Sequence, residues 1–494
     1  MIISIDFGNS KVKCAYPDRT GQTVAVKNGH GGNGLRACVY IDGSGQCLVG
    51  DDAHEQGFVD PQNVVRHFKL SLGSDQKLLG GKNAAELAEI LILAAKQFAE
   101  KQAGESVDAA VISVPANFTD KQKKALQQAC ESAGIKVLRV ISEPAAAAFA
   151  YAEQNSSNKR GSKIAVYDLG SSTFDCAICE SNGDEILVLA TEGVQKLGGD
   201  DLDEVLKQVI LDKLEKKTGK DCRVALSDPF FALDLDTRAA GAKISLGKRD
   251  KVQIPMSLKG QHYVISVTKA EFEKAIKALI ERTLDCLDKL FATAGITVRD
   301  LTSLYLVGGP SRMPFIQDMV ANRTGMVPRM EIDPEMAVAH GAALVAVSEM
   351  AKQGTPARIG GDTIPQPDAF LKEATHHDIG IAVEDRSGGG KRIVNAVVVA
   401  KNTPVPCKVP PQYFRLESPD QRDVLIEILQ GPDRADIKDC LIIGRLELND
   451  LPVEAARSPR IEIKCEFDQN TFVTVTARDT ISGKEVSVRV EVLK

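Results

Sequence analysis

Two short stretches of one design, far apart in the chain, constrain the fold more than anything else. Ile164 to Cys179 (IAVYDLGSSTFDCAIC) reads as an apolar strand, the turn Asp168-Leu169-Gly170-Ser171-Ser172-Thr173, and a second strand. Ile2 to Tyr16 (IISIDFGNSKVKCAY) repeats the plan, with Asp6-Phe7-Gly8 followed by Asn9 and Ser10. Gly170 is expected to take a positive φ and turn backbone N–H groups outward with no Cβ in the way. Such a row of N–H groups forms a nest for phosphate oxygens. Asp168 and Asp175 bracket the turn with carboxylates, which beside phosphate call for a cation between them, and Thr173, Ser171 and Ser172 add hydroxyl donors. One copy alone reads equally well as an ordinary hairpin with a polar turn. Two copies point to two similar lobes facing one nucleotide.

A third turn, LYLVGGPSRMP (Leu304 to Pro314), gives a strand, Gly308-Gly309 and a helix start, and Gly198 to Asp201 reads Gly-Gly-Asp-Asp. Together these resemble the phosphate and adenosine turns of the actin-like ATPase fold. In detail they are similar to the seventy-kilodalton heat-shock chaperones of the DnaK type. The longest continuous match is Ala109 to Tyr151, and the resemblance extends over nearly the whole chain. It implies an α/β actin-like ATPase of two ribonuclease-H-like lobes, followed by an all-β sandwich.

Length and composition fit that reading. The 494 residues suffice for two or three domains. With 61 basic and 67 acidic residues the net charge is −6, so nothing suggests a nucleic-acid surface. The longest apolar run, around Ala84 to Ala95, is broken by Glu86 and Glu89, and the N-terminus starts directly on a strand without a basic leader. No membrane span or secretory signal is expected. Eleven scattered cysteines point to a reducing cytoplasm. Cys176 and Cys179 are three apart on a strand and so face opposite ways, which makes them structural rather than metal ligands. His376 and His377 have no partner at ligand spacing and read as a solvated strand start.

In order along the chain, residues 1–350 form the expected ATPase domain, 351–372 a linker and 373–494 the sandwich. Ala84 to Ala103, Thr119 to Ala133, Leu202 to Lys217 and Glu271 to Ala294 carry helical patterns. Asn155 to Gly161 reads as a polar connector between lobes, and Gly- and Pro-rich Ala351 to Pro367 as the linker. Short alternating strands follow: Ile379 to Val383, Arg392 to Ala400, Val424 to Leu429, Cys440 to Leu446, Arg460 to Phe467, Phe472 to Arg478 and Glu485 to Val492. The stretch after Gly73 is shorter than is usual in the family, and no helical lid follows the last strand.

The resemblance also implies a set of roles. Asp6 and Asp168 would hold magnesium with ATP or ADP, with potassium as a further candidate ion. Lys69, Glu143, Asp168, Thr173 and Asp175 form the implied catalytic set, with Lys69 orienting the attacking water. Gly8, Asn9, Ser10, Gly170, Ser171, Ser172, Gly198 and Gly199 would cradle phosphates. Lys243, Gly308, Gly309, Arg312 and Glu335 would clamp the adenosine, where Ala240 and Gly247 replace an acid and a serine usual in the family. Ile381, Phe414, Val424 and Ile426 match a groove for extended apolar peptides, although sandwich core is the plain alternative for them. Glu417 stands where a small residue usually arches over the peptide. Arg139 matches a position that meets J-domain helpers, Ser142 replaces an amide nearby, and a nucleotide-exchange factor is the other implied helper. The function implied is an ATP-controlled chaperone for unfolded segments. An ATP-holding scaffold for another chaperone is the alternative, and a filament or sugar kinase is disfavoured by the β-domain.

Overall fold

A computed structural model describes residues 1–154, 160–375, 377–386, 391–418, 420–453 and 459–490. Most of the expected polar connector, His376 and the end of the last expected strand lie outside them. The chain forms two compact units. The first comprises Met1–Asn117, Ala125–Ile186 and Ala190–Phe370, and the second Phe118–Lys124, Leu187–Leu189 and Leu371–Lys494.

The first unit carries the repeat as two sheets of matching plan. In one, Ile2–Phe7 pairs antiparallel with Lys11–Pro17 and parallel with Ala109–Val114. In the other, Lys163–Leu169 pairs antiparallel with Thr173–Ser181 and parallel with Ser303–Val307. Each hairpin turn is closed by the same hydrogen bond: Gly8 N donates to Lys11 O at 2.9 Å, and Gly170 N to Thr173 O at 3.0 Å. Asp6 and Asp168 thus occupy equivalent places at the carboxyl ends of parallel strands, where α/β sheets gather ligands. Two alanine-rich helices, Glu143–Gln154 and Ala337–Lys352, lie buried along nearly their whole length. Small side chains let them approach closely. At Gly341 any Cβ would run into the Ala146 carbonyl.

The segment expected as a linker is packed onto the first unit instead. Arg358–Ile359 pairs with Asp362–Thr363, and Ala357, Ile359 and Ile364 are buried. The amides of Asp368 and Ala369 donate to the Glu153 carboxylate at 3.0 and 3.1 Å, and Phe370 N donates to Asp184 O at 2.9 Å. Glycine and proline mark turns in this stretch, and its few aliphatic residues are enough to seat it.

The second unit is a sandwich of two antiparallel sheets. One runs in the order Arg392–Val399, Ile379–Asp385, Val424–Gln430, Leu441–Leu448, and the other includes Ile461–Phe467, Val473–Asp479 and Glu485–Val490. Alternate residues face inward, and Ile379, Ile428, Ile463, Val473 and Val475 form the core between the sheets. Ile381 and Ile426 belong to that core at 4% and 5% exposure, while Phe414 and Val424 pack half-buried against it.

Candidate functional site

A cavity of about 1080 Å³ opens within the first unit. Asp6, Gly8, Asn9, Ser10, Lys69, Glu143, Asp168, Gly170, Ser171, Ser172, Thr173, Gly199, Lys243, Gly308, Gly309, Arg312 and Glu335 all line it. Gly198 and Asp175 do not; they act one layer behind.

The turn at Gly170, expected to receive phosphate, is built by close backbone approach rather than by unusual torsions. Gly170 does not take the positive φ expected of it. An added Cβ there would lie 3.2 Å from Thr173 O, which closes the turn, so glycine serves proximity. At Gly198 a Cβ would strike the Ser171 backbone. Its absence lets the helix Gly199–Thr218 start directly against the turn, with Gly199 N on Gly170 O at 2.9 Å and Asp200 N on Ser171 O at 2.7 Å. Gly308 has φ +87°, and a Cβ would collide with the Leu169 carbonyl, so glycine is obligatory there.

Lys69 lies in a short 3-10 turn, 3% exposed, with Nζ 2.7 Å from Glu143 Oε1. Its backbone N–H donates to Asn9 Oδ1 at 3.1 Å, and Asn9 Nδ2 donates to Asp200 Oδ2 at 2.8 Å. The Asn9 side chain is therefore engaged in fixing Lys69, and its backbone is what faces a ligand. Asp175 Oδ1 accepts the Ala116 N–H at 3.1 Å, and its carboxylate also accepts from the Thr173 hydroxyl. Asp175 positions Thr173 from behind. On the side expected to hold adenosine, Lys243 Nζ bonds Asp203 at 2.7 Å and Gly199 O at 2.8 Å, while Arg312 pairs with Asp333 and approaches Glu335 at 3.7 Å.

The carboxylates crowd one another. Burial, with Glu143 and Asp175 nearby, pushes Asp168 well above the usual carboxylate range. Burial, with Glu143 nearby, lifts Asp175 to about 7, and burial raises Glu143 against the pull of Lys69. A cation beside these crowded carboxylates would offset their mutual repulsion, and oxygen donors suit a hard one. Among the described residues no group of three or more His, Cys, Asp or Glu side chains could hold a metal alone. Magnesium here would need phosphate and water as its other ligands, with Asp6 and Asp168 beside it.

These shifts set a pH dependence for the nucleotide-free chain. Between the ordinary carboxyl value and about 7 the folded state keeps the Asp175 proton longer than the unfolded state does. Stability must then fall as pH rises through that window. Thermal unfolding should show the native chain losing more stability than Asp175→Asn between about pH 5 and about pH 8. Equal losses would count against the buried carboxyl.

Sequence reasoning missed several cavity residues. Lys13 Nζ sits 2.9 Å from Asp6 Oδ2, Lys11 Nζ 3.1 Å from Glu335, and His67 Nδ1 3.2 Å from Asp200 Oδ2. Arg66 reaches Asp236 at 3.0 Å. For Lys13 a signal existed, because the hairpin register sets it directly opposite Asp6. Asp200 stood in the Gly-Gly-Asp-Asp stretch, but neither its pairing with His67 nor that of Asp236 with Arg66 has a local signal, since each spans more than a hundred residues. Arg139 is buried, bonding Glu349 at 2.9 Å, so its guanidinium does not face solvent here. Cys176 and Cys179 are both buried in their strand.

The family model described as Hsp70 protein matches residues 75–494. That span takes in the second phosphate turn, the adenosine turn and the whole sandwich, and it begins after Lys69. The first turn is joined to the site by geometry, through the shared closing hydrogen bond and the pairs Lys69–Glu143 and Asn9–Asp200. Members of this family are, as a class, ATP-hydrolysing chaperones that take magnesium with the nucleotide and bind unfolded clients. A match over so much of the chain, on an actin-like ATPase unit followed by a β-sandwich, makes this protein a member of the Hsp70 family.

Proposed function

We propose that this chain is a DnaK-type chaperone in which residues 1–350 hydrolyse ATP, 351–372 relay the nucleotide state, and 373–494 bind apolar peptide segments. The observation that carries the proposal is the convergence of both phosphate turns, Lys69–Glu143 and the aspartate set on one cavity. The turns at Gly8–Ser10 and Gly170–Thr173 would receive the phosphates on both sides. Lys69, fixed at both its amide and its ammonium, would orient the attacking water and offset charge on the γ-phosphate. Thr173, held by Asp175, would donate to the same phosphate. Magnesium, when bound, supplies neutralising charge beside Asp6 and Asp168. No strong base is required, because positioning does most of the work.

Phe414 and Val424 are the groove candidates with surface to offer, whereas Ile381 and Ile426 would act as its floor. Lys391 bonds Glu384 at 2.6 Å and comes within 3.7 Å of exposed Glu417. Buried Arg139 weighs against a J-domain helper at this surface unless that pair opens. Among the described residues no helix is long and apolar enough to cross a membrane. Single-turnover hydrolysis, measured with and without an apolar peptide, tests the proposal. A turnover that peptide leaves unchanged would favour the ATP-holding scaffold.

Ala240 and Gly247 line the adenosine side of the cavity without offering polar side chains. Each missing hydrogen bond is worth about 0.5–1.5 kcal/mol. At Gly247 an added Cβ would meet ordinary contacts at 3.4 Å, so serine fits there. Ala240→Glu with Gly247→Ser should tighten Mg·ATP binding by roughly three- to tenfold or more. Calorimetry showing no gain would mean that other residues already hold the adenosine.

A further inference from the structure

Lys13 is a cation that the phosphate site has built into its own hairpin. The register of Ile2–Phe7 on Lys11–Pro17 sets Lys13 directly opposite Asp6, so both side chains share one face. Its ammonium lies 2.9 Å from Asp6 Oδ2 and lines the cavity. The stem is confined too: a Cβ at Gly34, where φ is +81°, would come within 2.9 Å of Lys13 Cγ. Glycine at that point lets the stem lie flat along the backbone and fixes how far the ammonium reaches.

The charge balance gives this position its meaning. Asp6, Glu143, Asp168 and Asp175 are four carboxylates in mutual electrostatic range, and Lys69 and Lys13 are the ammonium groups acting on them. With a cation bound and all four carboxyls ionised, their four negative charges against two ammonium groups leave, apart from the phosphates, a deficit that one divalent ion closes. Without Lys13 the same cluster would need a monovalent cation as well. We infer that Lys13 is a tethered stand-in for a monovalent metal ion, so that the site takes one divalent ion with its nucleotide and no separate alkali-metal ion. The inference rests on the nucleotide reading above and removes potassium from the expected cofactors. A tethered charge has no translational freedom to lose, so the site is complete at any alkali-metal concentration.

Calorimetry with magnesium and a non-hydrolysable ATP analogue tests this without relying on turnover. The full chain is compared in potassium chloride, sodium chloride and tetramethylammonium chloride at equal ionic strength. Native affinity should agree within about twofold across the three salts, a small part of a 1.4 kcal/mol tenfold step. Lys13→Met should lose about tenfold or more in tetramethylammonium and recover in potassium, as an uncompensated charge at this depth predicts. Lys13→Gln serves if the methionine variant does not fold. Native affinity that collapses in tetramethylammonium would overturn the inference. So would a variant that loses nothing, or one that loses equally in every salt, which would make Lys13 a direct phosphate ligand. If the native chain binds no analogue in any salt, the nucleotide reading itself falls and takes the inference with it.

Discussion

Lys69→Met should slow single-turnover ATP hydrolysis by roughly 10²–10³ while Mg·ATP affinity changes little, the size expected for removing one preorganised donor to developing charge. The ammonium is 3% exposed and held by Glu143, so it enters the reaction already oriented and meets no competing water. Its action falls on the terminal phosphate, which adds less to affinity than the metal-held diphosphate does. Removing Lys69 also removes the charge that most favours ionised Glu143, so that carboxyl should take up a proton and not remain a buried bare charge. Folding should therefore survive. Glu143→Gln alone should give a similar loss, and the double variant little more, since the pair acts as a unit. Thr173→Ala should cost at least about tenfold, or 1.4 kcal/mol in barrier. Unchanged single-turnover rates in the Lys69 and Thr173 variants would remove the catalytic assignment.

Arg460→Met should destabilise the second unit by about 3–5 kcal/mol, the range for breaking one side of a buried ion pair. Arg460 and Asp479 are 2% and 0% exposed, with Nε at 2.5 Å and Nη2 at 2.9 Å from the two carboxylate oxygens. Asp479 also accepts from the Ser482 amide at 2.9 Å, and Arg460 Nη1 donates to Pro452 O at 2.9 Å. The pair thus ties the connection that follows Leu448 to the turn that follows Asp479. Although burial opposes it, the Arg460 and Ser482 hydrogen bonds hold Asp479 far below the usual carboxylate range. Its contribution is then present above the ordinary carboxyl pKa and is lost only in strong acid. Glu466→Gln, which breaks the exposed Lys408–Glu466 pair, is the control and should change stability by about 0–1 kcal/mol. Chemical unfolding followed in the sandwich, beside nucleotide binding in the first unit, separates the effects. A loss at Arg460 no larger than at Glu466 would contradict the buried-pair argument.

The sequence by itself determined everything that depends on local pattern. Alternating residues with turn signals are enough to mark the strands of the sandwich, because one buried face imposes a period of two. The helix Ala84–Ala103 keeps its expected ends, since an Asn83 capping box starts it and Gly104 in the left-handed region stops it. Both phosphate hairpins were legible because strand, Asp, Gly and small polar residues are fixed to one another by a single turn. The Lys13–Asp6 pair was legible in principle, as hairpin register is a local quantity.

Only the tertiary structure decided which residues meet across the cavity. Asp200 closes on Asn9 and His67, Arg66 on Asp236, and Lys69 on Glu143, each across at least 74 residues of chain. No local spacing encodes such partners, because they meet only when distant segments pack together. The helix Pro229–Leu246 had no strong periodic signal and is placed by packing. Ala351 to Pro367 was read from its glycines and prolines, yet three aliphatic residues seat it on the first unit. At Ile381 and Ile426 motif matching could not tell a groove wall from core, because both require an inward-facing aliphatic side chain. Burial is a property of the neighbours, and the neighbours come from the opposite sheet.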